Sequence, residues 1–129
     1  MDRTTLVGID KEGGKRLLEA LDRKGLAIRS AFWFYFPEPE EWRLVLATPI
    51  VKKEGPLKTY SLIQSVLQGL DPPPDILFRH ITVMSPDDTL IETLRNVVIT
   101  ELDSVEDILV VERIVDGFHI DDTYIYRLT

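Results

Sequence analysis

Apolar positions along the chain first recur at helical spacing. Leu17, Leu18 and Leu21 share one side of the segment from Asp10 to Lys24, where Asp10 suits an N-cap and Gly25 a left-handed terminator. Gly13 and Gly14 weaken the first turns by about 1 kcal/mol each, which lets the helix begin as late as Lys15. The pattern then becomes that of strands. Ile28 to Phe36 contains five consecutive aromatics, Phe32 to Phe36, and stops at Pro37-Glu38-Pro39; Trp42 to Thr48 is a second such run. The short acidic loop between them predicts an antiparallel hairpin. With Phe36 opposite Trp42, the pairing continues as Phe34 with Leu44 and Phe32 with Leu46 on an apolar face, and as Tyr35 with Arg43 and Trp33 with Val45 on the other.

Pro56 suits the first position of a second helix reaching Gly69, with Tyr60, Ile63, Val66, Leu67 and Leu70 on one side. Asp71-Pro72-Pro73-Pro74 supports neither helix nor central strand, because three successive residues lack an N–H. Leu77 to Met84 reads as a third strand. Ser85-Pro86-Asp87-Asp88 opens a third helix, with Ser85 as the cap and Leu90, Ile91, Leu94 and Val98 inward. After an acidic loop from Glu101 to Glu106, Ile108 to Val115 and Phe118 to Leu128 form a closing hairpin around Asp116-Gly117, the dipeptide suited to a type I′ turn. The order αββαβαββ predicts an α+β fold with a five-stranded, largely antiparallel sheet and three helices, as one domain over residues 1–129. The first strand, apolar on both sides, belongs in the middle of the sheet, with helices on both faces or a partner chain over one.

Composition narrows the chemistry. There is no cysteine and there are two histidines, so disulfides, thiolate nucleophiles and cysteine metal sites are excluded, and a cytoplasmic setting is expected. No apolar run approaches the ~18 residues of a membrane span, and the N-terminus lacks a signal-peptide pattern. Residues 1–70 hold 11 Lys/Arg against 9 Asp/Glu, whereas residues 71–129 hold 4 against 13, for an overall net charge of −7. That half of the chain would repel a phosphate backbone, so nucleic acid is not an expected partner.

Gly8 to Arg16 fails as a phosphate-binding loop: anchoring on Gly14-Lys15 puts Ile9 where the first glycine belongs and Arg16 where a hydroxyl belongs. The aromatic run fails as a base-stacking RNA-binding strand, because Ser30, Ala31 and Phe32 occupy the wrong positions. No serine-nucleophile signature is present. Two constellations remain. Trp33, Tyr35, Arg43 and Val45, on the second hairpin face, are of the types that anchor interfaces, which predicts a self-associating interaction or regulatory module without catalysis or cofactor of its own. On the closing hairpin, the turn register sets Ile114 opposite His119 and Glu112 opposite Asp121, placing Glu112, His119 and Asp121 on one face. Opposed carboxylates repel, so such a pair signals a bulge, bound water or a cation. The alternative reading is therefore a small metal-dependent enzyme built on these three residues; with His80 the set would become the two-histidine, one-carboxylate arrangement used for non-haem iron.

Overall fold

In the computed structural model, which describes residues 9–129, the aromatic run forms β1 (Ser30–Phe36). Gly8 lies outside the described residues. β1 pairs antiparallel with β2 (Glu41–Ala47) on one side and β7 (Thr123–Leu128) on the other. β3 (Ile81–Met84) and β4 (Ile108–Val110) complete the sheet in the order β3-β2-β1-β7-β4, so the strand apolar on both faces is central. The fold is α+β, but the sheet is mixed: β2 and β3 run parallel, with Leu44 opposite Ile81 and Ala47 opposite Met84. The crossover between them carries the short helix α2 (Ile50–Glu54), absent from the sequence reading, and α3 (Pro56–Gln68), and a parallel pair requires such a connection. The strand expected from Leu77 begins only at Ile81, after a 3₁₀ turn over Phe78–His80.

The first hairpin has a register one residue away from the expected one. Phe36 faces Glu41, Tyr35 faces Trp42, Phe34 faces Arg43, Trp33 faces Leu44 and Phe32 faces Val45. Because side chains alternate between faces, a shift of one residue moves β2's side chains to the other side of the sheet relative to β1. Ala31, Trp33, Leu44 and Leu46 therefore join α1 (Lys11–Arg23) and α3 in one apolar cluster with Leu17, Leu18, Leu21 and Ile63. Phe32, Val45 and Ala47 join the opposite cluster, with Ile91 and Leu94 of α4 (Thr89–Arg95).

The closing hairpin keeps one register along its whole length and is folded in the middle. Val110 opposite Thr123 ends the sheet portion, and Arg113 opposite Ile120 opens a separate two-stranded ribbon of β5 (Arg113–Val115) and β6 (Phe118–Ile120). Asp116 and Gly117 both have positive φ, 51° and 81°, as a type I′ turn requires. Val115 and Ile120 pack into the same cluster as Phe32 and Val45, so the ribbon helps α4 to cover that face of the sheet. No helix among the described residues is long and apolar enough to cross a membrane.

α1 begins at Lys11 with Asp10 as its N-cap, as expected; the Asp10 carboxylate accepts the Gly13 N–H at 2.9 Å, so the glycines do not delay the start to Lys15. The start of α4 differs from expectation. α4 is capped by Asp88, which accepts the Leu90 N–H at 2.9 Å, while Ser85 donates its hydroxyl to Asp87 at 2.6 Å. Lys52 and Ser85 together hold the exposed Asp87 carboxyl below its usual range.

Candidate functional site

Glu112 and Asp121 sit at the fold of the closing hairpin, where the ladder skips two residue pairs, Val111 with Asp122 and Glu112 with Asp121. The Glu112 N–H is instead taken by the Asp122 carboxylate at 2.7 Å, and the Thr123 hydroxyl donates to the Asp121 carbonyl at 3.0 Å. These bonds fix the two backbones on either side of the break. His119 reaches across it: its Nε2 lies 2.5 Å from Glu112 Oε2 and its Nδ1 lies 3.7 Å from Asp121 Oδ1. The candidate ligand atoms of the three residues all fall within 4.8 Å of one another. The turn register thus brings together the three residues expected from it. His80 is not among them; its neighbour is Glu41, 3.8 Å away at the start of β2, so the two-histidine set does not form.

The ring of His119 also borders an apolar cleft of about 230 Å³ lined by Phe34, Leu90, Thr93, Phe118 and Ile120. The cleft lies between the sheet, α4 and the ribbon.

The other expected set is split. Trp33 and Tyr35 share the sheet face of Leu44, whereas Arg43 and Val45 project from the opposite one, and Trp33, Tyr35 and Val45 are buried. Arg43 pairs with Glu41 at 2.7 Å and lies over the Phe36 ring. The one-residue register shift is the reason: the four share a face only if Trp33 opposes Val45. Helices α1 and α3 cover one face of β1, and α4 with the ribbon covers the other, so the central strand does not need a partner chain over it.

Two polar networks carry no local sequence signal. Trp33 Nε1–H donates to the Tyr126 oxygen at 2.9 Å, and the Tyr126 hydroxyl donates to the Lys11 carbonyl at 2.6 Å, tying the sheet to the first turn of α1. Arg127, buried on β7, holds Asp22 of α1 and the carbonyls of Ile28 and Ser104.

Burial pushes the Tyr126 phenol well above its ordinary pKa of 10, with the Trp33 hydrogen bond opposing the shift. A folded-state pKa above the unfolded one favours the neutral phenol in the native protein. Its contribution is therefore intact below pH 10 and is lost as the pH rises through the folded value. Urea unfolding between about pH 9 and pH 11.5 should show stability falling more steeply in the native protein than in Tyr126→Phe, whose other titrating groups are unchanged. Parallel pH profiles for the two would refute the assignment.

No family model matches the chain, and comparison with curated proteins and with solved structures likewise finds no significant match.

Proposed function

We propose that the protein is an interaction module that pairs with a second copy of itself through its closing hairpin. The observation that carries this reading is the concentration of exposed apolar side chains there. Leu109, Val111, Ile114 and Phe118 are 51–74% exposed within a ten-residue stretch, whereas isolated exposed apolar residues are the norm on monomers. Among the described residues β4 also ends the sheet, and no strand of theirs pairs with its outer edge. Antiparallel pairing of β4 with its copy across a twofold axis would pair the backbone groups of that edge and bury Leu109 and Val111 in the same step. Such a contact is self-complementary, as a closed dimer requires.

Charge opposes this pairing. Glu101, Asp103, Glu106, Asp107 and Glu112 flank the edge, so two copies repel until salt screens them. Sedimentation at micromolar concentration should give a dimer mass that is more populated at 0.5 M than at 0.05 M salt, and Leu109→Lys with Val111→Lys should return the protein to monomer. A native protein that stays at 14.8 kDa up to ~100 μM, where specific dimers are populated, would overturn the reading.

A further inference from the structure

We propose that Glu112, His119 and Asp121 form a binding site for a divalent transition-metal cation of the zinc type. The constellation differs from an acidic surface patch in two respects. It pairs an imidazole with two carboxylates, the mixed nitrogen and oxygen donors that zinc accepts and that hard cations such as Mg²⁺ and Ca²⁺, which favour more numerous oxygen ligands, do not select. It also contains an unsatisfied acceptor. The Asp121 side chain is only 12% exposed, and its Oδ1 is buried with no hydrogen-bond partner among the described residues. A buried carboxylate oxygen left in that state is costly, and native structures usually satisfy it.

The residues at hand do not satisfy it. The Nε2 of His119 is engaged by Glu112, and its Nδ1 lies 3.7 Å from Asp121 Oδ1, beyond hydrogen-bond reach. A divalent cation held among the three residues meets that need. It takes the imidazole lone pair, gives Asp121 Oδ1 a positive partner and cancels the two carboxylate charges.

The geometry lies within reach of such an ion. Four-coordinate zinc, with bonds of about 2.0–2.2 Å, sets its ligands roughly 3.3–3.5 Å apart. A single ion bonds one imidazole nitrogen, and one such atom with a carboxylate oxygen from each of Glu112 and Asp121 already falls within 4.8 Å, so the ligand spacings change by roughly an ångström on binding. Glu112 and His119 are half-exposed and can make that adjustment, and the bonds from Glu112 N–H to Asp122 and from Thr123 to the Asp121 carbonyl hold the backbone beneath. Three protein ligands leave the fourth position for water.

The test is calorimetric titration of zinc chloride into the full chain after chelator treatment, with magnesium as a control, alongside the imidazole NMR signals of both histidines. Zinc should bind one per chain, shift the His119 signals and leave those of His80 in place, and magnesium should produce neither effect. Asp121→Asn and His119→Gln should each weaken zinc at least roughly tenfold, the loss that removing even an outer-shell partner brings, whereas His80→Gln should not. Should either ligand variant fail to fold, the NMR shift in the native chain decides alone. A zinc titration that moves the His80 signals instead, or an affinity unchanged by Asp121→Asn, would overturn the site.

Discussion

Gly14→Ala is expected to destabilise the protein by about 3 kcal/mol, although alanine is the better helix former by about 1 kcal/mol. A Cβ on Gly14 would stand 2.2 Å from the Tyr126 hydroxyl oxygen and 2.8 Å from Cζ. The ring cannot retreat, because Tyr126 is buried and its hydroxyl is held from both sides by Trp33 and the Lys11 carbonyl. Accommodating the methyl group therefore means either pushing α1 off the sheet or breaking both hydrogen bonds. Overpacking costs about 1–3 kcal/mol and each lost buried bond about 1 kcal/mol more, which outweighs the gain in helix propensity. Gly69→Ala, where the nearest atom to a new Cβ is the Val66 carbonyl oxygen at 3.5 Å, is the control and should be neutral or slightly stabilising. Thermal unfolding would show Gly14→Ala melting roughly 10 °C lower, and equal melting points for the two variants would refute the packing argument. In a Tyr126→Phe background the penalty should shrink, because the closest contact is removed and the ring carbons remain.

The same glycine shows where the sequence is opaque. Locally, Gly13-Gly14 reads as a weak helix start, since nothing within one turn of it indicates a tyrosine hydroxyl arriving from residue 126. Arg127 and Asp22 are likewise 105 positions apart, with no periodicity linking them. Local geometry was legible. Asp116-Gly117 fixes both the turn and the register, so the meeting of Glu112, His119 and Asp121 follows from counting outward from it. The first hairpin offered no such anchor. Its longer loop leaves the register open, and with apolar residues on both faces of β1, alternation cannot choose between two pairings one residue apart. A signal for the parallel strand was present: a long helical connection between β2 and β3 permits parallel pairing, whereas a tight turn would force antiparallel.

Asp22→Ala is expected to be the most damaging removal of a surface-reaching charge among the described residues, because it strands its partner inside. The Arg127 side chain is 2% exposed, whereas that of Asp22 is 35% exposed. The pair is bidentate, NH1 to Oδ1 at 3.0 Å and NH2 to Oδ2 at 2.8 Å, and the other donors reach the Ser104 carbonyl from Nε at 2.8 Å and the Ile28 carbonyl from NH1 at 3.0 Å. Without the carboxylate, NH2 has no partner and a full positive charge stays buried beside two carbonyl oxygens. Breaking a buried pair in this way costs about 3–5 kcal/mol; water already reaches Asp22, which lowers the expected loss to about 2–3 kcal/mol. Arg127→Met acts differently. It removes the buried charge, lets Asp22 hydrate, and leaves the carbonyls of Ile28 and Ser104 without their guanidinium donor, at about 1–3 kcal/mol each if water cannot replace it. The double variant should therefore be far less unstable than the sum of the singles, since each removes the charge the other leaves uncompensated. Urea unfolding of the four proteins gives the coupling directly. A loss within ~0.5 kcal/mol of native for Asp22→Ala, or strict additivity in the double variant, would mean that solvent rather than Asp22 compensates Arg127.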